Sequence, residues 1–244
     1  VSVAGTDVRE TPNAIKALIQ DAKDKTISIV VEREEEELTF DVEVRNVPSS
    51  VRYELKENSI GYINIDIFSE TLTNQVSNAL KDLEEKGMKK LIIDLRDNSG
   101  GYLDSAETTA SLFLEKGKLI YSLEDKNKKE DYYDETEEHR TYPIVILINE
   151  KSASSAEILA AALKDSYGEK SYGKGKVQQT IKLEDGSMAK YTSAKWLRPT
   201  GECIDNKGLT PDYAASLTYE TNENGEQTVI DSQLNKALEV IRAM

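Results

Sequence analysis

Two short apolar runs, each closed by a turn of small residues, constrain this chain more than any other feature. Leu91-Ile-Ile93 sits within residues 89–95 and is followed by Asp97-Asn-Ser-Gly-Gly101. Ile144-Val-Ile-Leu-Ile148 is followed by Asn149-Glu-Lys-Ser-Ala-Ser-Ser155 and then by the apolar stretch 156–163. Runs this short and this apolar read as buried strands, and the stretch after the second reads as a buried helix. Residues 60–68 and 119–123 supply further strands. Leu72, Val76, Ala79, Leu80 and Leu83 fall on one helical face, with Gly87 as its stop, and residues 106–114 are read as helical. Strands alternating with helices predict an α/β fold. From about residue 176 the chain becomes β-rich, with strands expected at 177–183, 188–197 and 213–217. A last helix is expected over 233–243, with Leu234, Leu238 and Ile241 on one face.

The front of the chain reads as a separate small module. Thr11-Pro12 supplies a cap and a first-turn proline, and Ala14, Ile15, Leu18, Ile19 and Ala22 share a helix face. Ile27, Ile29 and Val31 alternate, as do Leu38, Phe40, Val42 and Val44, with Glu34 to Glu37 between them, so a hairpin is expected. One helix and two strands bury little by themselves. The expected organisation is a module over 1–46, a linker over 47–59, a core over 60–218, and a hairpin and helix over 219–244 that packs on the core.

Charge and rare residues exclude several kinds of chemistry. The formal net charge is −14, which disfavours nucleic acid as a partner, since phosphate binding needs clustered Lys and Arg. The acidic stretch 131–138 reads as solvated turns and loops. A single cysteine, Cys203, leaves no intrachain disulfide and no multi-thiolate metal site. A single histidine, His139, lies in the charged stretch Glu137-Glu138-His139-Arg140, which reads as a surface loop, and rules out a two-histidine zinc motif. No metal and no cofactor is expected. Hydrolytic chemistry in this chain therefore calls for a base other than histidine. No stretch approaches the roughly 18 apolar residues of a membrane span. The sequence opens on Val1 with no signal-peptide pattern.

Three constellations can carry chemistry. Ser154 stands between a buried strand and a buried helix, where free N–H groups of the helix start face a developing oxyanion. The same residues, Ser154-Ser-Ala-Glu157, also fit a capping box, a purely structural role. Asn98-Ser-Gly-Gly101 exposes backbone donors and fits a plain strand-to-helix turn equally well. Tyr172-Gly-Lys-Gly-Lys176 brings a lysine between glycines without the spacing of a phosphate-binding loop.

Taken together, these segments resemble the C-terminal processing (tail-specific) serine peptidases. The matching residues are Gly61-Tyr62-Ile63 with Phe68, Leu91-Ile-Ile-Asp-Leu-Arg-Asp-Asn-Ser-Gly-Gly101, Ser152-Ala-Ser-Ser-Ala-Glu157, Tyr172-Gly-Lys-Gly-Lys-Val-Gln178 and Gly208-Leu-Thr-Pro-Asp212, in family order. The resemblance implies a crotonase-like (ClpP/crotonase) α/β peptidase core accompanied by a PDZ domain, of which residues 1–46 match the second half. It implies Ser154 as nucleophile, Lys174 as general base and Gln178 as the residue that orients the lysine. It implies an oxyanion hole made by backbone N–H groups of Gly100, Gly101 and Ser155, with Ser152 and Ser155 otherwise acting as spacers. In the implied PDZ groove, Ile15, Leu18 and Ile19 line the peptide site or pack into the module's own core. The chain departs from the family in a shorter interval between Ser154 and Lys174, the shortfall falling within residues 165–169.

A lysine base must be uncharged. An ordinary lysine amine titrates near about 10.4, so the reading expects burial around Lys174. The expected activity is endopeptidase cleavage near or from a C-terminal tail, on protein or peptide substrates with a free C-terminus. The setting implied is extracytoplasmic, envelope-associated or secreted, and homo-oligomerisation is left open. Two alternatives stand beside this reading: a peptidase-like protein that binds peptides without cleaving them, and an acyl-CoA enzyme sharing the fold. The second leaves Lys174 and Gln178 without a role.

Overall fold

The structure is a computed structural model that describes residues 1–11, 14–22, 25–34, 36–44, 49–163, 166–221 and 227–244. The chain divides into two compact units, residues 1–48 with 181–189, and residues 49–180 with 190–244.

In the first unit, β1 (Ser2–Val3), β2 (Thr6–Asp7), α1 (Ala14–Asp21), β3 (Thr26–Arg33) and β4 (Glu36–Glu43) follow one another. The strands form a sheet of order β2-β1-β3-β4. The expected hairpin is β3 with β4, in antiparallel register. Val3, Val8, Ala22 and Ile27 form a small core, and Ile15, Leu18 and Ile19 pack against it. All three are part-buried against this core. The proline of the expected cap, at position 12, lies outside the described residues, as do 45–48.

The second unit begins with β5 (Val51–Lys56), β6 (Ile60–Ile65), α2 (Leu72–Glu85), β7 (Lys90–Asp94), α3 (Leu103–Ala110), β8 (Leu119–Glu124) and β9 (Lys129–Tyr133). The chain continues with β10 (Ile144–Ile148), α4 (Ser155–Leu163), β11 (Ser166–Gly168), β12 (Lys176–Lys182) and β13 (Met188–Leu197), whose facing ends at 181–182 and 188–189 are counted with the first unit, then β14 (Tyr213–Ala214), β15 (Thr218–Thr221), β16 (Gln227–Ile230) and α5 (Ser232–Ala243). The main sheet has the order β14-β11-β10-β7-β6-β5. Every neighbour pair in it is parallel except β5 with β6.

Both faces of this sheet are covered, which explains the apolar runs. Side chains of a strand alternate between faces. Leu91, Ile93, Leu95, Ile146 and Ile148 join the core that holds Leu72, Val76 and Leu83 of α2 and Ala156 and Leu159 of α4. Ile92, Val145 and Leu147 point the other way, onto Ala237 and Ile241 of α5. A second sheet has the order β12-β13-β8-β9. Among the described residues no helix is long and apolar enough to cross a membrane.

Several expectations change. Residues 51–56 are not linker but β5, the antiparallel edge of the main sheet, paired with β6 from Val51↔Ile65 to Lys56↔Ile60. The acidic stretch is not all loop, because Lys129–Tyr133 is β9, the edge strand beside β8. Charged, exposed edge strands look like loops in a sequence, since charge on an edge guards against unwanted pairing. Helix α3 starts at Leu103 and ends at Ala110, earlier than expected at both ends. The last strand of the core is shorter than expected, Tyr213–Ala214.

Ile241 is fully buried and closes the second face of the sheet. Ile241→Ala should cost about 2–5 kcal/mol in urea unfolding. A loss well below this range would mean that α5 is not part of the cooperative core.

Candidate active site

Three neighbouring parallel strands, β7, β10 and β11, end at the same edge of the main sheet. Each runs into one of the three turns singled out in the sequence. Ligand sites of open α/β sheets lie at the carboxyl ends of strands, so strand direction alone gathers these turns.

The turn after β7 is held from within. Asn98 is fully buried, donates from Nδ2 to the Ile65 carbonyl at 2.7 Å, and accepts the Gly100 N–H on Oδ1 at 2.8 Å. This corrects one expectation: the Gly100 N–H is already engaged and is not an oxyanion donor. The Gly101 and Ser155 N–H groups have no acceptor among the described residues. Gly100 serves by closeness instead. At φ +96°, a Cβ added there would lie 2.8 Å from Ser154 Cβ and 3.0 Å from the Ser155 nitrogen. Only glycine lets the two turns touch in this way.

The turn after β10 carries Ser154 at φ +57°, a left-handed conformation sparsely populated by non-glycine residues. Such a residue costs on the order of 1–3 kcal/mol and persists only where its surroundings over-determine it. They do so here. Ser152 Oγ donates to the Leu95 carbonyl at 2.8 Å and accepts the Asn149 N–H at 2.9 Å. Ser155 Oγ lies 3.1 Å from the Gly101 carbonyl and 3.2 Å from that of Tyr102, either of which can accept its proton. The Ala153 N–H donates to the Asn98 carbonyl at 2.9 Å. Ser152 and Ser155 are therefore more than spacers, since their hydroxyls lace the second turn to the first. Ser154 Oγ forms no hydrogen bond with another described residue, which leaves it free for chemistry.

The turn after β11 reaches Ser154 through one carboxylate. Glu157, on the first turn of α4, is fully buried. Its Oε2 accepts the backbone N–H of Ser154 at 2.8 Å and that of Lys174 at 3.0 Å. Its Oε1 accepts the Gly173 N–H at 2.7 Å and the Ser171 hydroxyl at 2.5 Å. The backbone nitrogens of the expected nucleophile and base are thus no farther apart than the sum of two hydrogen bonds. The capping box is half realised: Glu157 reaches back to the Ser154 N–H, while the Ser154 hydroxyl caps nothing. Ser171 Oγ also accepts the Leu209 N–H at 2.7 Å, which draws in the fifth segment, Gly208 to Asp212.

In the turn after β11 it is the backbone, not the lysine side chain, that is tied to Glu157. The Lys174 carbonyl accepts Trp196 Nε1–H at 2.8 Å, yet the lysine side chain is exposed. No hydrogen bond joins Lys174 Nζ to Ser154 Oγ or to Gln178 among the described residues, and Gln178 is exposed on β12. The burial expected around Lys174 is therefore absent in this conformation. Residues 164 and 165, at the short interval, lie outside the described residues. His139 is exposed, as expected of a surface loop.

Sequence reasoning missed the roles of Asn98, Glu157 and Ser171. Glu157 was visible only as the end of a capping box, and nothing local marks it as an acceptor for residues that far along the chain.

Residues 59–215, which include every residue of these turns, match peptidase family S41. The chain belongs to peptidase family S41. Carboxy-terminal processing protease CtpA of Bacillus subtilis (strain 168) is 38% identical over 258 residues, covering 97% of this chain and 54% of that protein. A probable CtpA-like serine protease of Staphylococcus aureus (strain bovine RF122 / ET3-1) is 36% identical over 211 residues, covering 82% of this chain and 42% of that protein. The S41 chain thus spans about half the length of these curated relatives. In three dimensions it resembles a photosystem II D1 C-terminal processing protease, with TM-score 0.64 and 24% identity over 88% of this chain and 62% of that chain. At that identity the likeness speaks for the fold alone.

Glu157→Ala would strip the acceptor from four donors, the N–H groups of Ser154, Gly173 and Lys174 and the Ser171 hydroxyl. It should destabilise the protein by at least about 3 kcal/mol in chemical unfolding. A change under about 1 kcal/mol would mean that water replaces the carboxylate without loss.

Proposed function

We propose that this chain is the catalytic part of a serine-type C-terminal processing endopeptidase, with Ser154 as nucleophile and Lys174 as general base. The observation that carries the proposal is the single Glu157 oxygen that accepts both the Ser154 and the Lys174 backbone N–H. The strained φ of Ser154 and the two unused N–H groups beside it support the same reading.

In this mechanism Ser154 Oγ attacks the scissile carbonyl carbon while its proton passes to Lys174 Nζ. The carbonyl oxygen becomes an oxyanion and receives the Gly101 and Ser155 N–H groups. Collapse of the tetrahedral intermediate breaks the C–N bond. Lys174 returns the proton to the leaving amine, and water then hydrolyses the acyl-enzyme. Since Lys174 is exposed, covering by bound substrate is what would desolvate its amine, with Gln178 orienting it once it turns inward. The core is read as crotonase-like and residues 1–46 as part of a PDZ domain. Substrates are read as polypeptides with a free C-terminus, in line with the carboxy-terminal processing named for the Bacillus subtilis relative. An extracytoplasmic setting belongs to the same proposal.

The exposed Lys174 favours one second reading, a peptidase-like protein that holds peptides without cleaving them. A fluorophosphonate probe separates the two, because only an activated serine reacts with it. Ser154→Ala should abolish both labelling and turnover while leaving the unfolding curve in place. Turnover that survives in this variant overturns the assignment. Lys174→Ala should abolish turnover at neutral pH. Gly100→Ala, whose new Cβ would press on Ser154 and Ser155, should lower kcat about a hundredfold, the scale of losing an oxyanion donor.

A further inference from the structure

Helix α5 lies outside the residues that match the family, yet its cap is tied to the loop that carries Gly101. Asp231 caps α5 by accepting the Leu234 N–H at 2.9 Å. The same carboxylate takes Nη1–H and Nη2–H of Arg96 at 2.7 and 2.8 Å, a bidentate pair. Arg96 also folds onto the buried Asp94 at 2.6 Å and reaches Gln233 Oε1 at 3.1 Å. Burial pushes the Asp231 carboxyl up, but Arg96 and the Leu234 N–H outweigh it and hold the group below its ordinary range.

Arg96 begins the loop in question. The next residue, Asp97, stands at φ +60° with its N–H on Asn149 Oδ1 at 2.9 Å. Asn98 follows, with its oxygen on the Gly100 N–H. The backbone from Arg96 to Gly101 therefore hangs between two fixed points, the α5 cap at one end and the turn of Ser154 at the other. A planar guanidinium held by two parallel bonds fixes orientation as well as distance.

We propose that Asp231 is a positioning residue for catalysis: through Arg96 it sets the loop that aims the Gly101 N–H at the oxyanion. The inference rests on the peptidase reading above. Without Asp231, Arg96 keeps Asp94, through its backbone N–H, Nε and Nη2, but its hold on the start of α5 falls from three hydrogen bonds to the single one on Gln233. A helix cap alone makes a different demand, since Asn and Ser cap helices about as well as Asp.

The test compares Asp231→Asn and Asp231→Ser with the unsubstituted protein for kcat, KM, fluorophosphonate labelling and thermal unfolding. Asp231→Ser should lower kcat about tenfold and slow labelling in step, with KM little changed, as expected of a misaimed donor. Asp231→Asn keeps one acceptor for Arg96 and should fall between. Both should unfold near the parent temperature, because the cap survives. An unchanged kcat in both variants overturns the proposal, as does a loss of kcat that merely follows a loss of thermal stability. If Asp231→Ser does not fold, Asp231→Asn decides on the same readouts. An unsubstituted protein that neither labels nor cleaves brings down the peptidase reading itself, and this inference with it.

Discussion

The site depends on one carboxylate buried where carboxylates are rarely found. An isolated anion in a protein interior is costly, and it is tolerated only where hydrogen bonds replace its water. Glu157 has four such bonds, three of them from backbone N–H groups. It also sits on the first turn of α4, where the helix dipole favours negative charge. Because its donors come from both sides of the candidate site, satisfying this one group brings the turn after β10 and the turn after β11 together. The arrangement is self-enforcing: separating the turns would leave a buried charge with one of its four partners.

The sheet beneath provides the frame in which one carboxylate suffices. Parallel strands end at a common edge, so three turns far apart in sequence start as neighbours. The closest approach, between Gly100 and Ser154, requires a residue without a Cβ. The left-handed Ser154 is then held by hydroxyls and carbonyls on both flanks rather than by its own side chain. Its hydroxyl does no structural work, so the residue proposed as nucleophile can be strained without being tied up.

Much of the fold could be read because burial on both faces writes itself into composition. The runs at 91–93 and 144–148 are apolar at every position since each side chain meets either α2 and α4 or α5. Edge strands carry no such signature. β5 and β9 are mostly exposed and charged, and they read as linker and loop. In the site, the identities of Ser154, Lys174 and the Gly-Gly turn stood out through their order along the chain. What Gly100 does with its N–H did not, because the answer lies in the side chain of Asn98, itself held by a carbonyl of another strand.

Local order along the chain determined which residues are candidates: a serine at a strand-to-helix turn, a lysine between glycines, and a single exposed histidine that leaves another base to be found. Periodicity determined that the core is α/β, since alternating burial repeats within a few residues. Only tertiary structure decided which N–H groups remain free, which carboxylate gathers the turns, and that α5 reaches back to Arg96. Those outcomes depend on bonds between residues that are distant in the chain. A hydrogen bond is set by distances and angles in space, and no spacing in a sequence records them.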